Sequence, residues 1–424
     1  MRKMRDGGIA WIGVIPQDWE IVRTKSLYCS AKEIAGDRAD DFERLALTLN
    51  GVIKRSKEDS VGLQPEKFSG YQILKKGELV FKLIDLENVA TSRVGLSPYT
   101  GIVSPAYIVL SKQSRAKDLV VRYSMYHFLS MWQREIFNQM GDNGVRSSLN
   151  AKELLNIPHP FPSIYEQKRI VTFLDAQCAE IDAVLEKTRA SIEEYKKLKQ
   201  AVITQAVTKG IRGDRPMKDS GSVWFEEIPC NWVMKRIKYL FHIKKDIAGK
   251  EGYTVLSITQ RGIQPKDLSK NEGQIAANYS QYQLLAPGDF AMNHMDLLTG
   301  WVDISKYSGV TSPDYRVFVL DDTEKNDSSY YLYLMQMCYF NRIFYGLGQG
   351  VSGMGRWRLQ ADKFMNFPVV VPPVDEQKEI VSYLNEKCKQ LDTLIRNKQQ
   401  YLTEIENYKK SLIYEYVTGK KEVV

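Results

Sequence analysis

Cysteine and histidine are scarce in this sequence. Its 424 residues include 5 cysteines and 4 histidines, and no two cysteines form a Cys-x-x-Cys motif. An odd number of separated cysteines is typical of a reduced, intracellular protein, and isolated histidines offer no ligand set for zinc. We therefore expect no metal site and no disulfide framework.

Long apolar runs are missing as well. No stretch reaches the roughly 18 apolar residues that a membrane-spanning helix needs. No apolar segment of signal-peptide length follows the basic N-terminus, Met1 to Trp11. The sequence thus predicts a cytoplasmic protein without a membrane partner.

Motifs for catalysis are also absent. The sequence has no Gly-x-x-x-x-Gly-Lys-Ser/Thr loop, and its glycine-rich stretch from Gly346 to Gly353 follows a helix, which is typical of a flexible loop. The triplets at Glu166 to Lys168 and Glu376 to Lys378 contain the Glu-x-Lys half of a nuclease metal site, but such a site needs further carboxylates. A glutamate that starts a long helix explains them better, because it complements the helix dipole.

Charge of one sign is only mildly in excess. Lys and Arg number 59 against 51 Asp and Glu, which gives a formal charge of +8. This balance suits a polyanion such as DNA, whose counterions are released by bound cations. It suits an ordinary slightly basic soluble protein equally well, so charge alone does not decide the partner.

The most informative feature is an internal repeat with a period of about 210 residues. The segment Trp11 to Trp19 contains Ile-Pro-x-x-Trp and returns as Trp224 to Trp232. Further matches follow in the same order: Tyr71 to Gly77 with Tyr282 to Gly288, Gly101 to Tyr107 with Gly309 to Tyr315, Arg146 to Ala151 with Arg356 to Ala361, and Glu166 to Lys168 with Glu376 to Lys378. Collinear matches at one spacing indicate a tandem duplication.

Each copy is predicted to contain a globular domain and a long helix. Residues 1–162 and 213–372 mix strand and helix signals, which favours an α/β or α+β domain in each copy. Residues 163–212 and 373–424 are the predicted helices, and Ser163 with Glu166 forms a plausible capping box. A helix of about 45 residues is about 65–70 Å long.

Both predicted helices carry an apolar stripe that returns every seven residues. The residues assigned to helix pairing are Leu174, Ile181, Leu185, Ile192, Leu384, Leu391, Ile395, Leu402 and Ile405. A lone helix cannot hide such a stripe, so we favour pairing of the two helices over packing of each helix on its own domain alone. The predicted architecture is two tandem domains joined by an antiparallel coiled coil, with an approximate two-fold axis.

The repeat combines three features. Two domains alternate with two similar helices, an Ile-Pro-x-x-Trp segment is followed by Arg23 or Arg236, and each helix starts with Glu-Gln-Lys-x-Ile-Val. This combination resembles the specificity subunit of type I restriction-modification enzymes. The resemblance covers the whole chain. It implies that each globular part is a target-recognition domain for one half of a split, asymmetric DNA target. It also implies that the helices act as a spacer.

The same resemblance implies which partners and cofactors to expect. Two methyltransferase subunits would sit on the helices, and restriction subunits with ATP-driven translocation would join that core on double-stranded DNA. S-adenosylmethionine, ATP and Mg²⁺ would then bind the partner subunits and not this chain. The family's Asn/Asp-Pro-Pro-Tyr/Phe methyltransferase signature is missing here, so we expect a non-catalytic subunit.

Side chains that suit base edges or phosphates in DNA lie in the predicted loops. The candidates are Lys54, Arg55, Asn143 and Arg146 in the first copy, and Gln260, Arg261, Gln349, Ser352, Arg356 and Arg358 in the second. Arg146 and Arg356 match between the copies, so they are better suited to holding phosphate or bracing a loop than to reading unlike half-sites. Two rival functions stay open at this point: a stand-alone DNA-modifying enzyme and a coiled-coil scaffold without a nucleic-acid role.

Overall fold

The structure is a computed structural model that describes residues 2–49, 51–59, 67–84, 86, 93–140, 148–268, 276, 278–350 and 357–423. Its internal contacts divide the chain into two units. The first unit combines Met1–Arg189 with Gln400–Val424, and the second is Ala190–Gln399. The division into domains 1–162 and 213–372 and helices 163–212 and 373–424 remains a prediction.

The strands of the first copy are short. They are β1 (Met4–Asp6), β2 (Val14–Pro16), β3 (Glu20–Arg23), β4 (Tyr28–Cys29), β5 (Leu45–Thr48), β6 (Gly51–Lys54), β7 (Gln72–Leu74), β8 (Leu79–Lys82), β9 (Arg93–Leu96), β10 (Gly101–Val103), β11 (Ile108–Lys112) and β12 (Pro158–Phe161).

The second copy repeats the same series. Its strands are β13 (Met217–Asp219), β14 (Glu227–Pro229), β15 (Val233–Arg236), β16 (Phe241–Lys244), β17 (Leu256–Thr259), β18 (Gly262–Pro265), β19 (Gln283–Leu285), β20 (Phe290–Met292), β21 (Val302–Ile304), β22 (Gly309–Thr311), β23 (Arg316–Leu320) and β24 (Pro368–Val371).

The helices include two that are far longer than the rest. They are α1 (Thr24–Leu27), α2 (Val121–Gln133), α3 (Ala151–Asn156), α4 (Ile164–Lys209), α5 (Ser328–Phe340), α6 (Ile343–Leu347), α7 (Ala361–Met365) and α8 (Val374–Val417), with 3-10 turns at Gly36–Asp41, Phe137–Gln139 and Ile237–Tyr239. Among the described residues, no helix combines the length and apolar character that a bilayer crossing requires.

The two copies share one sheet topology. The first contains a four-stranded sheet in the order β4-β11-β8-β9, and the second contains β16-β23-β20-β21 in the corresponding order. The pairings within both sheets are antiparallel. Each domain is therefore an α+β domain, which is one of the two classes that the sequence predicted.

Apolar side chains that alternate along the strands form the core of each domain against one helix. In the first copy Leu79 and Phe81 of β8 are fully buried, and Phe81 meets Phe128 of α2 edge to face at 5.1 Å. In the second copy Phe241 of β16 meets Tyr331 of α5 edge to face at 5.5 Å. Alternation with period two thus places one face of each sheet on its helix.

In the first unit, the start of α4 and the end of α8 run antiparallel. Asp182 accepts a hydrogen bond from Lys409 Nζ at 2.6 Å, and Arg189 donates to Glu406 at 2.8 Å. The ring of Phe173 lies 4.5 Å from that of Tyr416. Residue numbers therefore fall along α8 as they rise along α4, which confirms the predicted direction of pairing within this unit.

The second unit contains the other half of each long helix, again antiparallel. Lys199 Nζ donates to Asp392 at 2.7 Å, and Lys398 lies over the ring of Tyr195 at 5.7 Å. The Lys199–Asp392 pair occupies the same positions in the repeat as the Lys409–Asp182 pair of the first unit. One ion pair between the helices is therefore repeated, whereas the Lys398–Tyr195 contact belongs to the second unit.

Candidate functional site

A buried Trp–Glu contact joins the start of each copy to the start of its long helix. In the first copy, Trp19 donates its Nε1–H to Glu166 at 2.9 Å, and the guanidinium of Arg2 also binds that carboxylate. Arg2 bonds Asp18 as well, at 2.8 Å. These bonds raise the pKa of Arg2 and lower that of Asp18.

The second copy repeats the contact with less exposure of the glutamate to solvent. Trp232 donates to Glu376 at 2.8 Å, and Arg215 completes the ion pair. The Glu376 side chain is 2% exposed, against 20% for Glu166. The interpretation of the repeated glutamates as helix-dipole residues missed this role, because each Trp lies about 145 residues before its Glu.

The capping box predicted at Ser163 is only half present. Ser163 Oγ accepts a hydrogen bond from the backbone N–H of Glu166 at 3.2 Å. The Glu166 side chain does not complete the box, because Trp19 and Arg2 hold its carboxylate. The helix start is thus fixed by tertiary contacts in addition to a local cap.

The glutamine of each Glu-Gln-Lys triplet binds the neighbouring helix start and its own approach loop. Gln167 accepts from Val120 N and donates to the carbonyl of Pro162, and Gln377 accepts from Asp327 N and donates to that of Pro372. Both glutamines are fully buried. The repeated triplet therefore orients each domain's main helix against a long helix.

A buried tyrosine in each copy holds the C-terminal end of a long helix. Tyr123 Oη donates to the carbonyl of Val417 at 3.0 Å, and Tyr330 Oη donates to that of Val207 at 3.0 Å. The C-terminal end of α8 is thus bound to the domain of the first unit, and the C-terminal end of α4 is bound to the domain of the second unit. Together with the Trp–Glu contacts, these bonds define the shared frame of the two copies.

The loops of the second copy form a different kind of surface. The β17–β18 turn places Gln260 and Arg261 at an exposed tip. Gly262 has a φ of +95°, and the backbone N–H of Ile263 donates to Asp303 at 2.9 Å. Glycine is needed there because side chains rarely adopt that φ and a Cβ would meet Asp303 at 2.5 Å. The turn is therefore held in one position.

A second exposed segment reaches the same region. Gln349 and Arg358 face each other in an antiparallel bridge, each backbone N–H donating to the other's carbonyl at 2.9–3.0 Å. Gln260 Nε2 donates to Thr299 O at 3.4 Å, and Leu359 N donates to His294 O at 2.9 Å. The structure thus brings Gln260, Arg261, Gln349 and Arg358 to either side of the loop from residue 293 to 300.

The described part of the glycine-rich stretch is packed, and its interpretation as a flexible loop is wrong there. A Cβ on Gly348 would lie 2.4 Å from the indole ring of Trp357, and one on Gly346 would lie 3.0 Å from that of Trp224. Trp357 also stacks on Tyr345 and donates to its carbonyl at 2.7 Å. The glycines permit close approach of two tryptophans, which a sequence pattern of glycines alone does not reveal.

The first-copy candidates Lys54 and Arg55 lie in acidic surroundings. Lys54 pairs with Glu43 at 2.6 Å and lies over the ring of Tyr99, and Arg55 donates to Asp59 at 2.7 Å. The carboxylate contacts raise the pKa of both cations. These side chains must exchange a carboxylate for a phosphate before they can bind DNA, so they are weaker candidates than Arg261 and Arg358.

Four further candidates cannot be placed. Asn143, Arg146, Ser352 and Arg356 lie outside the described residues. The nine residues assigned to helix pairing are described, and none is exposed. Leu174, Leu185, Ile192, Leu384 and Leu391 are buried, and Ile181, Ile395, Leu402 and Ile405 are partly buried. Their individual roles remain a prediction.

Chemistry for catalysis or metal binding is not apparent in the described part of the chain. No group of three or more His, Cys, Asp or Glu side chains there is arranged to hold a metal ion. The described residues do present exposed loop side chains on domains whose buried Trp–Glu contacts repeat between the copies. Two α+β domains of one sheet topology, each with parts of two long antiparallel helices in its own unit, define the class of protein.

Comparison with known proteins identifies that class. Residues 229–407 match the family described as type I restriction modification DNA specificity domain. The MjaVIII type I restriction enzyme specificity subunit of Methanocaldococcus jannaschii is 22% identical over 96% of this chain and 94% of its own length. The putative MjaX specificity subunit of the same organism is 23% identical over 97% and 96%.

A solved structure shows the same fold. It concerns complex assembly and conformational transition of the type I R-M system, and one of its chains matches with a TM-score of 0.68 at 14% identity. The match covers 96% of this chain and 99% of that chain. Over almost its whole length the chain is similar to type I restriction-modification specificity subunits, and its second copy matches their DNA specificity domain. This confirms the resemblance stated from the repeated motifs.

Proposed function

We propose that the chain binds double-stranded DNA and reads a bipartite, asymmetric target, with one recognition domain for each half-site. The observation that carries this proposal is the contrast between the two copies. Their buried contacts are the same, as at Trp19 with Glu166 and Trp232 with Glu376. The exposed residues of the matching turns differ, since Gln260 of the second copy stands where the first has Leu49. Unlike surfaces on like frames are what two unlike half-sites require.

The second domain offers suitable chemistry for base reading. Arg261 and Arg358 are exposed and can donate in bidentate fashion to guanine, while Gln260 and Gln349 suit adenine. The turn that carries Gln260 and Arg261 is held by Asp303, and the bridge of Gln349 with Arg358 is held by its own backbone bonds. Fixed side chains favour discrimination because less conformational entropy is lost on binding.

The partners follow from this proposal. Two methyltransferase subunits bind along the paired helices, and restriction subunits join the resulting core. S-adenosylmethionine binds the methyltransferase subunits, and ATP and Mg²⁺ serve the restriction subunits. The assembly acts in the cytoplasm, where its DNA substrate lies.

The direct test is methylation with and without the partner. The purified chain alone should transfer no methyl group to DNA, and the chain with its methyltransferase subunit should methylate one interrupted sequence. Methylome sequencing of a host that expresses both proteins reads the target. Methyl transfer by the chain alone, or methylation without sequence preference, would overturn the proposal.

Single substitutions test the surface. Arg358→Ala and Arg261→Ala should each reduce binding of the target by about ten-fold, because a bidentate contact to a base is worth roughly 1–3 kcal/mol. Lys54→Ala is the matched control, since Lys54 already binds Glu43. A larger loss for the control than for the two arginine variants would reject this choice of residues.

A further inference from the structure

A buried arginine in the second copy has no acidic partner among the residues that the structure describes. Arg316 at the start of β23 is 5% exposed, and no ion pair joins its guanidinium to a carboxylate among the described residues. Burial lowers its pKa to about 10, which still leaves it charged at neutral pH. Burying a charge without a counterion is costly, so a cation in this position calls for a specific reason.

The Arg316 guanidinium binds one backbone group, and its Nη1 also lies 3.8 Å from the Sδ of Met292. Its Nη2 donates to the carbonyl of Leu359 at 2.8 Å, and its guanidinium lies 5.0 Å from the ring of Phe364. The backbone N–H of Leu359 donates to His294 O at 2.9 Å. Leu359 is therefore held on both sides of its peptide, and its side chain is fully buried.

Leu359 directly follows Arg358, one of the exposed candidates for base contact. The position of the Arg358 backbone is thus set by the bridge to Gln349 on one side and by the bonds to Leu359 on the other. A hydrogen bond from a charged donor is stronger than a neutral one, particularly at low local dielectric. Arg316 therefore anchors the segment that carries Arg358 through a charged donor.

The first copy lacks this anchor. The repeat places Ile108 where the second copy has Arg316, because each residue follows a Ser-Pro-x-Tyr segment and starts the corresponding strand. The equivalent backbone bond from Leu149 N to Leu83 O remains, at 3.0 Å. The arginine therefore belongs to the part of the domain in which the copies differ and not to their shared frame.

We propose that Arg316 is a positioning residue for sequence recognition by the second domain, and that it determines base preference at the half-site positions read by Arg358. This inference rests on the proposed function of the chain as a DNA-reading subunit. Arg316 acts through the backbone of Leu359, so its removal changes which bases are accepted. It leaves the first half-site and the methyltransferase step untouched.

The experiment uses the full chain with its methyltransferase partner and a library of targets varied at one half-site at a time. Arg316→Met keeps the length of the side chain but removes the hydrogen bond. It should reduce the preference for the correct second half-site by about ten-fold, the value of one charge-assisted hydrogen bond. Preference at the first half-site should not change. Ile108→Met, the same new residue at the equivalent position, is the matched control and should leave second-half preference intact.

Two further variants separate positioning from loss of folding. Arg316→Lys keeps the charge and one donor, so it should restore part of the preference at the same base positions. Arg358→Ala alters an exposed side chain, and combining it with Arg316→Met should add little, because both act on one contact. If Arg316→Met does not fold, an intermediate loss in Arg316→Lys that is confined to the Arg358-dependent positions supports the proposal.

Three outcomes would overturn the inference. These are an unchanged second-half preference in Arg316→Met, an equal loss at both half-sites, and full additivity with Arg358→Ala. Failure of the proposed function is distinguishable, because the unaltered chain would then direct no sequence-specific methylation at all.

Discussion

The indole Nε1 of Trp232 lies 2.8 Å from the carboxylate of Glu376, although 144 residues separate them in the chain. Glu376 also binds Arg215, whose side chain is 15% exposed. Trp232 and Glu376 are thus buried, and Arg215 is partly buried beside them. The contact fastens the second domain to the first turn of α8, as Trp19 and Glu166 fasten the first domain to α4.

Removing this carboxylate should destabilise the second unit more than the equivalent change destabilises the first. Glu376→Ala removes the acceptor of the Trp232 N–H and the counterion of Arg215, which keeps only a neutral acceptor, the carbonyl of Lys209. The expected cost is about 3 kcal/mol. Glu166→Ala should cost less, because Arg2 keeps Asp18 and the site is more open to water. Urea unfolding followed by tryptophan fluorescence measures both. Equal losses would contradict the difference in burial.

Acid should destabilise the first unit through a pair of buried histidines. His127 and His159 have ring centroids 4.5 Å apart, and both are almost fully buried. Burial lowers the pKa of His159 to about 4 and that of His127 well below its usual 6.5. Above pH 6.5 both are neutral whether folded or unfolded. Below it the unfolded chain takes up protons that the folded chain refuses, so stability falls between pH 6.5 and 4.

Replacing one histidine should reduce this loss. The repeat places Leu334 in α5 where α2 has His127. His127→Leu therefore introduces the residue that the second copy already has at this position. The variant should lose about 1.4 kcal/mol less stability per pH unit over this interval. Unfolding free energies at pH 7, 6 and 5 provide the comparison. A pH dependence identical to that of the unaltered chain would refute the assignment.

The sequence predicted the frame better than the recognition surface. A seven-residue period and the absence of proline and glycine suffice to identify a long paired helix such as α4, because both signals are local. The Trp19–Glu166 contact and the buried Arg316 depend on tertiary packing across long separations, which no local pattern encodes. The packed state of Gly348 against Trp357 was missed for the same reason.

A fragment of residues 1–212 should form a homodimer. In the first unit α4 pairs with the end of α8, and the repeat aligns Val207 with Val417, so the end of a second α4 can take that place. Lys199 of one fragment would then occupy the position of Lys409 and bind Asp182 of the other fragment. Lys196 of one fragment, however, would occupy the position of Glu406 and repel Arg189 of the other fragment.

This repulsion can be tested within the fragment. Lys196→Glu should strengthen dimerisation up to about five-fold, the scale of an exposed ion pair. The neighbouring Lys197→Glu serves as the control, since its position matches Asn407 and no ion pair. Sedimentation equilibrium gives the dissociation constants. A folded fragment that remains monomeric, with either lysine or glutamate at position 196, would argue against pairing through this stripe.

The length of both helices should set the spacer of the DNA target. The boundary between the units falls after Arg189 in α4 and after Gln399 in α8, so each helix runs through it. Seven residues inserted at both points preserve the heptad pattern and add about 10 Å. This distance equals about three base pairs at 3.4 Å each.

The doubly extended chain should methylate the same two half-sites with a spacer about three base pairs longer. Extension of α4 alone is the control. It shifts one helix against the other, so the Lys409–Asp182 and Lys199–Asp392 contacts cannot both form and activity should be lost. An insertion near Thr208 would be a poorer test, because Tyr330 bonds the adjacent carbonyl of Val207. Methylome sequencing reads the spacer directly. The same spacer in the doubly extended and unaltered chains would rule out the helices as the ruler, since their length would then have changed without effect.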